Sequence, residues 1–171
     1  LHFVRRRQRQ MCIRDSSRFV NFKYFFEDNL IFFSNYESHK AQNFIDNDKV
    51  CINFWWPNIE VQVRIEGTIS KCEEKFSDEH FQGRKPEKNV AALVSEQSKK
   101  IESYDLLKQK YEAMKERIEN GDYSHSRPDN WGGYQIKVHF FEFWEANDDR
   151  LNYRECYEKE NESWSKYFLQ S

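Results

Sequence analysis

Apolar and polar residues alternate along both ends of this chain, and the period changes in the middle. From Arg18 to Phe26, Val20, Phe22 and Tyr24 fall on one face and Asn21 and Lys23 on the other, the pattern of a half-buried strand. Asp28-Asn29 supplies a turn, and Leu30 to Ser34 reads as the return strand of a hairpin. Ser38 is placed to cap a short helix to about Asp46, buried through Ala41, Phe44 and Ile45. Val50, Ile52, Phe54 and Trp56 alternate as a third strand, which Pro57-Asn58 stops. A fourth runs from Val61 to about Ser70, with Val63 and Ile65 facing one way and Gln62, Arg64 and Glu66 the other. Ser77 then caps a short helix towards Phe81, and Asn89 to Ser98 forms another. The clearest helix begins near Ser103 and ends before Gly121, carrying Leu107, Tyr111, Met114 and Ile118 on one stripe. Strands return at Tyr134 to Trp144, Arg150 to Glu158 and Trp164 to Leu169, with turns at Asn147-Asp148 and Asn161.

Four strands, a helical insert and three more strands predict a mainly β protein with flanking helices (α+β). The economical arrangement is an antiparallel sheet closed into a small barrel, because closure removes exposed edges. Composition agrees. Aromatics make up 17% of the 171 residues, which favours half-buried pleated surfaces. The length suits one domain, expected over residues 18–171.

Charge divides the chain. Arg5, Arg6, Arg7, Arg9 and Arg14 lie in the first seventeen residues against one acid, Asp15. Taking these from totals of 27 basic and 29 acidic residues leaves 22 and 28, a net charge of -6 for the rest. An acidic body argues against nucleic acid as the main partner. Residues 1–17 lack the apolar core of a secretory signal and read as a non-native, disordered segment outside the fold. No apolar run reaches the ~20 residues of a membrane helix. Cys12, Cys51, Cys72 and Cys156 are widely spaced, which suits a reduced, cytoplasmic protein, and the histidines show no metal-ligand spacing.

Candidate chemistry concentrates at cationic points. Ser38-His39-Lys40 sits at a helix start, where free N–H groups and the macrodipole attract anions, and Ser34 adds a hydroxyl. The same residues also read as a plain cap beside a solvated lysine. Arg18 and Lys23 are five apart on the first strand and so on opposite faces. Gln62 and Arg64 share a polar face that solvent exposure explains. Gln97-Ser98 follows an apolar run, and Arg84, Lys85 and Lys88 cluster as in a solvated turn. Trp131-Gly132-Gly133-Tyr134, Phe141-Glu142-Phe143-Trp144 and Arg150-Leu151-Asn152-Tyr153-Arg154 place arginines and tryptophans on hairpins, suiting a flat, anionic ligand. No nucleophile–base pair, glycine-rich phosphate loop or carboxylate pair is evident, so a cofactor is expected to carry any reaction.

The ordered set closely resembles the pyridoxine (pyridoxamine) 5'-phosphate oxidase family. The matching pieces are Arg18-Phe-Val-Asn-Phe-Lys23, Phe33-Ser-Asn-Tyr-Glu-Ser-His-Lys40, Gln62-Val-Arg-Ile-Glu-Gly67, Val94-Ser-Glu-Gln-Ser98 and the three C-terminal motifs above, collinear from Arg18 to near Leu169. The resemblance implies an FMN-binding split β-barrel, a cytoplasmic homodimer with the flavin at the subunit interface. It implies that Arg18, Val20, Lys23, Phe33, Ser34, Lys40, Gln62, Gln97, Ser98, Trp144 and Arg154 contact FMN, with Lys40 on its phosphate. It implies that Lys23, Arg84 and Arg150 hold pyridoxamine or pyridoxine 5'-phosphate, Arg150 also serving catalysis. The implied reaction yields pyridoxal 5'-phosphate and, with O2 as acceptor, hydrogen peroxide. The family usually has Arg at His39, Tyr at His80, Ser at Lys88 and His at Asn152, so the flavin site is better kept than the substrate site. A split barrel that holds FMN or pyridoxal phosphate without turnover, and a related flavin reductase, are the competing expectations.

Overall fold

The computed structural model describes residues 17–123 and 126–171. Apart from Ser17, the segment expected to be non-native lies outside them.

The first hairpin joins β1 (Phe22–Phe26) to β2 (Asn29–Asn35). Its turn is Glu27-Asp28, both left-handed at φ 47° and 60°, the conformation that matches the twist of a two-residue hairpin. The strand starts later than the alternation suggests, so Arg18 precedes it. After α1 (His39–Asp46) come β3 (Lys49–Trp56) and β4 (Val61–Lys71), paired antiparallel. The helical insert comprises α2 (Glu74–Gly83), a 3-10 turn (Pro86–Lys88), α3 (Val90–Val94) and α4 (Tyr104–Glu119). Then β5 (Trp131–Glu145), β6 (Tyr153–Glu160) and β7 (Ser163–Phe168) complete the sheet.

The fifteen-residue β5 is the spine. On one edge β4 pairs with it from Lys71–Tyr134 to Val61–Glu145. On the other edge β2 takes residues 131–137 and β6 takes residues 140–145, so the sheet splits there. At the split Glu66 faces Phe140 and Gly67 faces Val138, which leaves His139 as the extra residue of a bulge. A Cβ on Gly67 would lie 2.5 Å from Ile136 Cγ2 and 2.7 Å from the Lys137 carbonyl oxygen, so only glycine fits this close approach. The expected closure is made by side chains, not by a ladder. The order β1-β2-β5-β4-β3 ends at β1 and β3, whose Phe22 and Phe54 rings meet at 5.8 Å.

The core lies inside this curl, from Leu30 and Phe32 through Val63, Ile65 and Ile69 to Tyr134, Ile136 and Val138. Helix α1 closes one end through Ala41 and Phe44, whereas Ile45, expected to be buried, is 75% exposed because the helix meets the sheet on a narrower face. Ser77 is not a cap, since α2 starts earlier. Its buried hydroxyl instead accepts a 3.0 Å hydrogen bond from the Gly133 N–H. A side chain on Gly132 would collide with Tyr36 and Ser77, so the glycine pair lets α2 lie directly on β5. The helix expected over Asn89–Ser98 is only Val90–Val94: it starts at the expected place, where Asn89 donates to the Phe81 carbonyl at 2.9 Å, and stops early because Ser95 turns to extended backbone at ψ 115°. Helix α4 follows the sequence, with Ser103 Oγ accepting from Leu106 N at 3.1 Å, yet its stripe is only half-buried. Arg150 and Arg154 do not share a strand. Arg150 sits in the turn before β6 at φ 58°, where its N–H closes back on the Asn147 carbonyl at 2.9 Å.

Candidate cofactor and substrate cleft

A cleft of about 350 Å³ opens between β1, β2, α1 and the helical insert. Its cationic lining is Lys23, Lys40, Arg84 and Lys88, and among the described residues no Asp or Glu lines it. Four cations without a lining acid make a field suited to anionic groups.

At one end the ammonium of Lys40 donates to Ser34 Oγ at 2.7 Å, Gln97 Oε1 at 3.2 Å and Ser38 Oγ at 3.3 Å. Ser34 also donates to Gln97 Oε1 at 3.0 Å. Ser38 stands at the N-cap of α1 but makes no side-chain cap, its hydroxyl being turned to Lys40. Burial and then the nearby Arg18 pull the Lys40 ammonium below its ordinary pKa. Among the described residues no ion pair relieves it. Arg18 lies 3.2 Å from His39 Nδ1, before the strand, so the opposite-face argument separating it from Lys23 does not apply.

The other wall is aromatic. The Phe33 ring stacks on His80 at 3.6 Å and on Trp131 at 5.3 Å. Tyr24 Oη and His80 Nδ1 are hydrogen-bonded at 2.8 Å. Burial, then Arg84 and Lys23, push the His80 imidazole down to about 4, so it is neutral at pH 7. The Arg84 guanidinium lies 5.3 Å over Trp131 and donates to the Lys88 carbonyl at 2.5 Å, with burial lowering its pKa. It is a half-buried wall of the cleft, not the solvated turn that its basic neighbours suggest.

The remaining candidates gather elsewhere. Gln62 faces Trp144 across β4–β5, and Trp144 faces Arg154 across β5–β6. Arg154 Nε donates to Glu142 Oε1 at 2.6 Å, and Arg64 Nε donates to Glu142 Oε2 at 2.8 Å. Glu142 is 3% exposed. Burial raises its pKa, but the hydrogen bonds from Arg154 and Arg64 outweigh this and the carboxyl is held below its usual range. Arg64 also pairs with Glu66 and covers the Phe140 ring, so it is not the solvated residue that alternation suggests. Arg150 is exposed, Asn152 Oδ1 accepts from Asn147 N at 3.2 Å, and Ser98 stands outside the cleft in a left-handed turn at φ 74°.

The two clusters are far apart within one chain. Ser34 pairs with Gly132 and Gln62 with Trp144, twelve residues along β5. That is roughly 40 Å of strand path at ~3.3 Å per residue, further than a mononucleotide reaches.

Comparison with known proteins places this arrangement. Residues 16–117 match the family described as pyridoxamine 5'-phosphate oxidase, and residues 131–171 match the pyridoxine 5'-phosphate oxidase C-terminal dimerisation region. The chain belongs to this family. A pyridoxine/pyridoxamine 5'-phosphate oxidase of Colwellia psychrerythraea is 36% identical over 154 residues, covering 90% of this chain and 70% of that protein. One from Hydrogenovibrio crunogenus is 38% identical, covering 90% and 71%. Among solved structures, PhzG from Burkholderia lata, in complex with tetrahydrophenazine-1-carboxylic acid, superposes with a TM-score of 0.80 at 26% identity, covering 91% of this chain and 75% of that one. A pyridoxamine 5'-phosphate oxidase-related FMN-binding protein of Nostoc punctiforme shares the fold, with a TM-score of 0.68 at 16% identity over 90% and 79% of the two chains. The split-barrel architecture is thereby shown, and the dimerisation region supports a homodimer.

Proposed function

We propose that this protein is an FMN-dependent oxidase that converts pyridoxamine or pyridoxine 5'-phosphate to pyridoxal 5'-phosphate, with O2 as acceptor and hydrogen peroxide as second product. The observation that carries the reading is the cleft lined by Lys23, Lys40, Arg84 and Lys88, with no acid among its described lining residues. Both the cofactor and the substrate bring a phosphate, and each needs cations.

The donor set fits FMN. Lys40, its hydroxyl neighbours Ser34 and Ser38, Gln97 and the start of α1 form a cradle for one phosphate, with Arg18 at its rim. Val20 and Phe33 supply apolar wall. FMN held there would supply two-electron redox chemistry for oxidation at the 4' carbon of the substrate, with O2 as the final acceptor. The chain's residues bind and orient. Arg84 and Lys23 hold the substrate phosphate, with Lys88 as an added cation that the family's usual serine does not offer. His80, neutral and fixed by Tyr24 and Phe33, keeps a ring nitrogen for hydrogen bonding where the family has a tyrosine hydroxyl. Gln62, Trp144 and Arg154 of the second subunit complete the flavin site, and the partner copy's Arg150 turn closes over the substrate. A homodimer answers the separation along β5: each flavin draws its phosphate cradle from one chain and its ring contacts from the other. A cytoplasmic location suits the free thiols Cys51, Cys72 and Cys156.

A second reading is favoured by Asn152, which lacks the imidazole usual in the family, and by the likeness to PhzG. In it the same FMN cleft acts on a different anionic substrate, or holds its ligands without turnover. Purified protein loaded with FMN separates the readings. Peroxide release with pyridoxamine 5'-phosphate, and none with pyridoxamine, supports the oxidase. Stoichiometric FMN without peroxide supports the alternative.

A further inference from the structure

The second cluster carries a different charge balance from the cleft. Arg64 and Arg154 converge from β4 and β6 on the two oxygens of Glu142 in β5, and Glu66 takes the remaining side of Arg64. Two guanidiniums meet two carboxylates. Glu142 is the buried member, with its oxygens 2.5–2.8 Å from the arginine nitrogens. The Arg154 guanidinium is also tied at Nη1 to the Gln170 carbonyl at 3.1 Å. An arginine so engaged does not reorient towards a phosphate without leaving a buried carboxylate unpaired, which is costly.

We infer that Glu142 is a positioning residue for the flavin site: it fixes the direction of the Arg154 guanidinium and cancels its charge, so that this end of the site receives the neutral ring of the cofactor while the phosphate goes to the Lys40 cradle. The inference rests on the flavin reading given above. It assigns the two clusters opposite electrostatic duties. The cleft keeps its cations uncompensated for an anion, and the Glu142 network supplies aligned N–H donors with no net charge. A reducible ring beside this network feels the difference directly. Reduction of a flavin adds negative charge, so an uncompensated arginine favours the reduced form and an added carboxylate disfavours it.

Redox titration of the FMN-loaded protein tests this. Glu142→Gln preserves shape and removes the charge, and its flavin midpoint potential is expected to rise above that of the wild type. Glu142→Asp retains the charge and is expected to stay near the wild-type potential, even where shortened reach weakens FMN severalfold. Arg64→Gln leaves the Glu142–Arg154 pair in place, removes the opposing cation and is expected to lower the potential. This third variant decides the matter if neither Glu142 variant folds. A potential unchanged in both Glu142→Gln and Arg64→Gln overturns the inference, as does an equal shift in the Asp and Gln variants. If the wild-type protein takes up no FMN, the flavin reading falls and this inference with it. FMN bound tightly at an insensitive potential sinks the inference alone.

Discussion

Lys40 is half-buried among three neutral oxygens; burial and then the nearby Arg18 depress its pKa, and no carboxylate pairs with it among the described residues. An anion placed there exchanges a desolvation cost for a charge-assisted hydrogen bond. Such bonds contribute about 1.5–3 kcal/mol, so Lys40→Ala should weaken FMN by about 10- to 150-fold in a fluorescence titration. His80 makes a separate prediction about acid. Its folded pKa of about 4 lies below the ordinary histidine value, so below ~6.5 the unfolded chain takes up a proton that the folded chain refuses until pH reaches ~4. His80 therefore reduces stability as pH falls through that window. His80→Gln should lose less melting temperature between pH 7 and pH 4.5 than the wild type, and an equal or larger loss would show that the ring is not held neutral. Residue types announced Lys40 and Arg84 as candidate cations, but not which of them the fold would bury. Arg84 reads as solvent-facing until Trp131, 47 positions later in the chain, is brought under its guanidinium.

Periodicity located the strands, because a sheet with one face on the core must alternate. It assigned faces without assigning cross-strand partners. Arg64 and Glu142 are 78 residues apart, and nothing local to either names the other. The signal that was present is Glu142 itself, a lone carboxylate in the run Phe140-Phe141-Glu142-Phe143-Trp144, which in a buried strand requires a cation nearby. Turn residues misled in the opposite direction. Arg150 looked like the first position of a strand, yet its left-handed φ puts it in the preceding turn, so its side chain is free of the strand's facing rule. Arg150→Ala should then impair oxidation of pyridoxamine 5'-phosphate while FMN stays bound, and Asn152→His should raise turnover. Normal kinetics in the first and no change in the second would remove this turn from the substrate site. The bulge offers a purely structural check. Gly67→Ala forces a methyl against Ile136 and the Lys137 carbonyl, and overpacking of this kind costs about 1–3 kcal/mol, readable as a lower urea midpoint.

At the scale of the whole molecule, the ends of the sheet differ in what they expose. Trp55, Trp56, Leu151, Tyr153 and Phe168 are all exposed large apolar side chains. The register gathers them at one end, where Trp56 faces Val61, Glu145 faces Tyr153 and Glu155 faces Phe168. That end also carries Gln62, Trp144 and Arg154. An apolar rim around a half-built site suits a second copy of the same chain, and the match of residues 131–171 to a dimerisation region supports it. The aromatic excess of the sequence hinted at such a surface, but only the strand register separates the two clusters and so calls for a partner. Subunit mixing tests this without any structure of the dimer. Lys40→Ala damages the first cluster and Arg154→Ala the second, so each homodimer alone should bind FMN poorly. After unfolding and refolding the two variants together, about half the dimers are mixed, and each mixed dimer holds one site with both clusters intact. About a quarter of all sites should then bind FMN with wild-type affinity, against essentially none in either variant alone. If co-refolding recovers nothing while both variants dimerise normally, the flavin is held within one chain, and the shared-site reading fails even if the oxidase reading stands.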